Sequence, residues 1–520
     1  MMHGAIAAGS AITADAAAEV LGAGGNAVDA VVAGCFAMAA GEPTLTSLAG
    51  GGVLIHRDAE SRAVTICDFF GDAPGRGLAA TPELLDFPEV ELDFGPARQA
   101  FCIGAAAAAV PGVIPGLCRA LERWGALELA DVVAPACRVL RQGVVIDPFQ
   151  ARAIKLLEPI LLHTAEGRAQ FGSPADPQRV LAAGERYAVP ALADLLEAMG
   201  HRGWRAVYRD RLMPAMLRQF GPHAGGLLTE DDLDGFRAEL RQPLAFAYRG
   251  DRISTNPLPG LGGEMVALML DLLAEREVAE LSHGSAAHVL ALARAMQVSD
   301  EARNAEGLRG NRNRWIRRSA ELEQVGRLDR VKAKSGGPPS TTHISVVDGE
   351  GNACAVTVSY GEGNGHMIAD TGIMMNNLMG EADLHPQGFH RLPPGTRLST
   401  MMSPTLIESV DGDLAVLGTG GANRIRTALV QVISNLIDFG MDAEQAIHAA
   451  RIHFEDGVLN AEVHQRADGG AALEALGAER FVAFEQPNMF FGGVHLVSRA
   501  ADGRLSGAGD PRRGGVLRIV

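Results

Sequence analysis

The sequence predicts an α+β protein in a chain of 520 residues, mostly helical in its middle and strand-forming after residue 341. Two periodicities predict this. Apolar residues recur at spacings of three and four between about residues 115 and 330, as half-buried helices require. From Thr341 the pattern becomes alternation, as strands with one covered face require. Between the two, the segment from Lys332 to Ser340 is polar, rich in Gly and Pro and almost free of apolar side chains. An exposed linker over 332–340 is expected.

The elements follow in order. A helical pattern from Asp15 to Leu21 stops in Gly22, Gly24 and Gly25. Asn26 then caps a helix from Ala27 to Ala40 that ends at Gly41, with Asp29 in its first turn, where the helix dipole favours an anion. Glu42-Pro43 and the turn Gly50-Gly51-Gly52 lead into a strand, Val53-Leu54-Ile55. Helices are expected over 117–127, 129–142, 191–199 and 264–276. Asp231-Asp232 is a carboxylate pair, but Thr229 before it reads as the cap of a short helix, so its role is structural. After the linker, residues 341–347 and 353–359 alternate about a loop of turn formers, Asp348-Gly349-Glu350-Gly351-Asn352, and form a β-hairpin. Ile344, Val346, Cys354, Val356 and Val358 share its apolar face; Thr341, Ser345, Thr357 and Ser359 share a small, hydroxylic one. If residues 347 and 353 close the loop, Thr341 lies opposite Ser359, with Cβ atoms roughly 5 Å apart.

Composition excludes several functions. Lys and Arg number 46 against 62 Asp and Glu, a net charge of −16, which argues against a nucleic-acid partner. The basic stretch from Arg309 to Arg318 is expected to be a solvated face. With 47% hydrophobic and 21% charged residues, the chain forms a packed core. No run reaches the ~18 apolar residues of a membrane helix. The start carries no basic segment before an apolar one, so a cytoplasmic protein without a membrane partner is expected. The six cysteines form no CxxC pair and read as free thiols. His366, His385 and His390 fit no metal-pair spacing, so neither metal nor cofactor is expected, and residues 381–397 read as a loop over the site. Gly418-Thr-Gly-Gly-Ala-Asn lacks the third glycine and the lysine of nucleotide loops.

Several motifs together resemble the γ-glutamyltransferase family of N-terminal nucleophile (Ntn) hydrolases. They are GGNAVDAVVA from Gly24, the Glu42-Pro43 pair with the triple-glycine turn, TTHISVVD from Thr341 and TGIMMNN from Thr371. MSPT from Met402, GTGGANRI from Gly418 and GAGDPRR from Gly507 complete the set, in the family's order. The resemblance implies a precursor that cuts itself between Ser340 and Thr341. A large subunit (1–340) and a small one (341–520) would remain together as a heterodimer, open to further oligomerisation, and share a four-layer αββα sandwich.

The implied chemistry is coherent. A threonine hydroxyl needs a base, and cleavage supplies the α-amine of Thr341, whose ordinary pKa of about 7.7–8.0 lies near the working pH. Ser359 matches the position whose hydroxyl supports the nucleophile. The N–H groups of Gly421 and Ala422 match the oxyanion donors, although the family usually has a second glycine at the latter. The substrate positions depart from the pattern. Phe70 stands where γ-glutamyl-binding members carry a carboxylate-clamping arginine. Thr400 and Met401 replace a serine pair, Leu378 replaces a glutamine, and the usual asparagine beyond the hairpin is lost within residues 360–365. Glu381, after the pair ending in Asn377, fills the acidic position that meets the α-amino group. Loss of a charged carboxylate partner costs about 2–4 kcal/mol, or ~30- to 1000-fold in affinity. Arg76, Arg391 and Arg397 are candidates to replace it.

The expected function is therefore a self-cleaving threonine amidohydrolase that passes a γ-glutamyl or related acyl group from a small-molecule amide to water or an amine. One alternative is an acylase for a non-γ-glutamyl amide, because of Phe70. The other is a homologue that never matures and serves only in binding.

Overall fold

The computed structural model describes residues 3–79, 82, 84–93, 98–304, 312–325 and 340–520. Of the expected linker only Ser340 is among them. Residues 309–311 of the basic stretch also lie outside, and the remainder begins a helix, Arg312–Val325.

Two antiparallel sheets pack face to face, with helices on both outer surfaces, so the architecture is the expected α+β sandwich of four layers. The first sheet has seven strands in the spatial order Glu239–Arg241, Val64–Asp68, Gly51–Arg57, Ala353–Ser359, Thr341–Asp348, Gly4–Ala8 and Val516–Ile519. The second has six, in the order Leu244–Tyr248, Asp251–Thr255, Thr405–Glu408, Leu414–Gly420, Gly493–Arg499 and Leu505–Ala508. Strands from both sides of residue 340 enter each sheet.

The hairpin adopts the register its alternation predicts: Thr341 pairs with Ser359 and Val347 with Ala353. Ile344, Val346, Cys354, Val356 and Val358 point to the outer helical layer, where they pack against Val31, Val32 and Phe36. That layer is formed by helices Ala11–Gly22 and Ala27–Gly41. The second helix is buried along its whole length, which its run of small residues permits; a Cβ at Gly34 would lie 2.6 Å from Ile344 Cδ1. Its N-terminus is closed as expected. Asn26 Oδ1 accepts from the N–H groups of Val28 and Asp29, and Asp29 accepts from that of Asn26 at 2.8 Å. Asp29 also accepts from Ala126 and Leu127, which ties down the loop after helix Val113–Trp124. Helices Gly262–Ala274 and Arg424–Ile437 cover the second sheet, and Ala286–Asn304 packs against the first of these. Helices also form at Leu129–Gln142, Pro190–Arg202 and, behind its Thr229 cap, Glu230–Gly235.

Candidate active site

The hydroxylic face of the hairpin looks between the two sheets. His343 lies among these hydroxyls, 2.8 Å from Thr357 Oγ1 and 2.8 Å from Ser345 Oγ. Burial, aided by His495, pushes its pKa far down, so the ring is neutral. The opposite sheet closes tightly here, since a Cβ at Gly418 would meet the His343 ring at 2.2 Å. The far end of the face remains open, and there Thr341 and Ser359 border a cleft of about 470 Å³.

The Ser340–Thr341 bond crosses the wall of this cleft. Ser359 Oγ donates to the Ser340 carbonyl at 2.5 Å and accepts from the Gly361 N–H at 3.2 Å, which aims the hydroxyl. Arg513 Nη1 holds the Thr341 carbonyl at 2.9 Å. Behind the strand, Thr342 Oγ1 donates to Glu42, which also accepts from Thr13 Oγ1 at 2.8 Å; burial raises the Glu42 pKa. Opposite stands the turn Gly421-Ala422, followed by helix Arg424–Ile437, whose N-terminal dipole favours a negative charge in front of it. Among the described residues, neither N–H of this pair has a partner within the chain. Ala422 has φ 47°, the left-handed region in which a glycine sits more easily.

Phe70, Leu378, Glu381, Thr400, Met401 and Ala422 line the cleft, with Ser340, Thr341 and Ser359. Thr400 Oγ1 accepts from the Met402 N–H at 3.1 Å. Glu381 Oε1 is buried without a hydrogen-bond partner, and burial, with Glu362 nearby, raises the Glu381 pKa well above the ordinary value. The expected loop does reach the site through residues 381–386. His385 pins it by a 3.0 Å contact to the Leu378 carbonyl.

Several expectations need correction. Asn377 is turned inward: its Oδ1 accepts from the Glu362 N–H at 2.7 Å and its Nδ2 donates to the Cys102 carbonyl, so it supports the wall without facing the cleft. Gly421, expected to act only through its backbone N–H, stands directly before the lining Ala422 and is not itself part of the lining. None of the three candidate arginines lines the cleft. Arg397 is buried between Asp68 (2.8 Å) and Asp72 (2.5 Å), Arg76 leans on Asp72 at 3.6 Å, and Arg391 is exposed. Among the lining residues that escaped the sequence reading are Glu362, pushed up to about 8 by burial, and Arg303. No motif marks either of them; each is delivered by packing alone. His366, His385 and His390 reach separate partners, and no metal-binding cluster of His, Cys, Asp or Glu occurs among the described residues.

Comparison with known proteins gives a consistent picture. Residues 13–520 match the family described as Gamma-glutamyltranspeptidase. The Acylase ACY 1 proenzyme of Pseudomonas sp. (strain SE83) is 32% identical, covering 97% of this chain and 91% of that one. The Glutathione hydrolase proenzyme of Escherichia coli (strain K12) is 27% identical, covering 98% and 90%. Among solved structures, the cephalosporin acylase from Bacillus halodurans superposes with a TM-score of 0.80 at 22% identity, over 99% of this chain and 96% of that one, a likeness of fold.

Proposed function

The chain belongs to the γ-glutamyltranspeptidase family of Ntn hydrolases, and on that premise we propose that it is a threonine amidohydrolase that matures by cutting its own Ser340–Thr341 bond. The observation that carries this reading is the Ser359 hydroxyl donating to the Ser340 carbonyl, with Thr341 paired across the hairpin from Ser359. That hydrogen bond polarises the carbonyl which Thr341 Oγ1 attacks. The Ser340–Thr341 peptide C–N bond breaks as an ester forms, and the threonine nitrogen takes up the hydroxyl proton. Water then hydrolyses the ester and leaves Thr341 with a free α-amine.

In the mature enzyme that amine removes the hydroxyl proton as Thr341 attacks a substrate amide. The N–H groups of Gly421 and Ala422 stabilise the developing oxyanion. The amine of the substrate departs with the proton, and water or a second amine releases the acyl group. Thr341→Ala is expected to remain a single 520-residue band on a denaturing gel, where the parent gives fragments of 340 and 180 residues. Cleavage in the variant would refute the mechanism, and an uncut parent would favour the binding-only alternative.

For the acyl group, the acylase reading leads. Phe70, Leu378 and Met401 line the cleft where the resemblance places polar contacts to a glutamyl head group, and Phe70 is 2% exposed. Acylase proenzymes among the relatives support it. A γ-glutamyl donor is the second reading, favoured by the buried carboxyl of Glu381, which suits an amino group. Comparing kcat/KM for γ-glutamyl p-nitroanilide with its desamino counterpart decides between them; a preference of tenfold or more for the γ-glutamyl compound would reverse the order.

A further inference from the structure

We propose that Glu362 is the acid–base residue of self-cleavage, taking the proton of the Thr341 hydroxyl as it attacks and handing it to the departing Thr341 nitrogen. This rests on the self-cleavage reading above and deepens it. The mature enzyme has a base in the α-amine of Thr341. In the precursor that nitrogen is an amide, which takes up a proton only as its bond to Ser340 breaks. The first cut therefore needs another base at the same place. His343 is unsuited, since its ring is bound to Thr357 and Ser345 and its pKa lies far down. Glu42 stands behind the strand, where Thr342 and Thr13 each bond one of its oxygens.

Glu362 is held where the base is needed. It is buried in the cleft wall with Ser340, Thr341 and Ser359. Three residues of one turn grip Ser340. The Ser359 hydroxyl donates to its carbonyl at 2.5 Å, the Gly361 carbonyl accepts from its hydroxyl, and that hydroxyl is also a hydrogen-bonding neighbour of the Glu362 carboxyl. The turn closes this tightly because Gly361 and Gly363, with φ 69° and 85°, flank Glu362 in the left-handed region. A Cβ at Gly361 would lie 2.1 Å from Asn377 Oδ1, the atom that accepts from the Glu362 N–H at 2.7 Å. Asn377 thereby fixes the backbone that carries the carboxyl. Around the carboxyl stand Tyr360 on the same turn, Glu381 on the loop, and Arg424 and Arg513. The arginines and the Ser340 hydroxyl draw its pKa down, but burial outweighs them and lifts it to about 8. A value close to the working pH suits a group that first accepts a proton and then donates it.

The step balances within the chain. Ionised Glu362 removes the Oγ1 proton as Oγ1 bonds to the Ser340 carbonyl carbon. As the C–N bond breaks, the carboxylic acid returns that proton to the nitrogen. The carboxylate is regenerated, and the products are the Ser340 ester and the Thr341 amine.

The test follows the 520-residue precursor, made in a brief cell-free pulse and chased between about pH 6 and 9, into its 340- and 180-residue bands. The parent rate is expected to rise close to tenfold per pH unit and to level off near 8. Glu362→Gln should be slower by about 100-fold or more and lose this rise, while Glu362→Asp should keep the rise at a reduced rate. A side chain that only supported the wall would change the rate and leave the shape of the profile alone. A parent profile without the rise, or a Glu362→Gln chain that matches the parent in rate or in profile, overturns the inference. If Glu362→Gln shows no cooperative melt, the parent profile and Glu362→Asp decide: the rise in both supports the inference, and its absence from either overturns it. Thr341→Ala keeps the two readings apart. Its cleavage would refute the self-cleavage mechanism itself, whereas an uncut Thr341→Ala beside a normally cut Glu362→Gln would defeat only the role of Glu362.

Discussion

Glu362 is 3% exposed on the cleft wall, and burial pushes its carboxyl up to about 8. The folded chain therefore keeps a proton that the unfolded chain loses near its ordinary value of 4.5. Stability due to this group is full below that value and is lost as the pH rises towards 8, by up to ~1.4 kcal/mol per pH unit. Glu362→Gln is expected to gain on the parent in thermal melts as the pH goes from 5 to 8; a constant difference would show an ordinary carboxyl. Phe70 works by volume. At 2% exposed, it packs beside Gly51 in the wall of the cleft. Phe70→Ala should cost ~3–5 kcal/mol in denaturant melts. A loss below 1 kcal/mol would mean that the cleft collapses to fill the space.

The two sheets can bring Thr341 close to the Gly421-Ala422 turn because strand Leu414–Gly420 carries glycines where they touch. A Cβ at Gly420 would lie 1.9 Å from the Thr341 carbonyl oxygen, and neither backbone can yield cheaply. Gly420→Ala is expected to lose ~1–3 kcal/mol and to slow self-cleavage, read as accumulation of the 520-residue band. Features with local causes were legible in the sequence. The Asn26–Asp29 cap depends on neighbours in the same turn, and the Thr341–Ser359 pairing follows from alternation and loop length. Features with distant causes were not. Arg397 looked available because nothing local shows Asp68 and Asp72 closing on it. Asn377 looked like a ligand because its partners, the Glu362 N–H and the Cys102 carbonyl, meet it only in the fold. Arg303 reaches the cleft through helix packing that no motif records.

At the scale of the molecule, cleavage should not separate the fragments. Strand Thr341–Asp348 lies between Ala353–Ser359 and Gly4–Ala8, and Asp348 Oδ2 accepts from the Ala27 N–H at 3.0 Å. The 340- and 180-residue pieces are expected to co-elute in native gel filtration and part only in denaturant; elution as separate species would contradict the interleaving. Acid should weaken the whole assembly. Burial depresses His56, His288 and His495 to about 4 from an ordinary 6.5, so the unfolded chain takes up protons first. Melting temperature should fall as the pH drops from 6.5 to 4. The hold of Arg513 on the Thr341 carbonyl also sets an order of events during synthesis. Residue 341 leaves the ribosome long before residue 513 and before strand Val516–Ile519, which borders Gly4–Ala8. On the proposed mechanism, a chain that stops short of residue 513 lacks the side chain that holds the Thr341 carbonyl, so the cut would double as a receipt for that contact having formed.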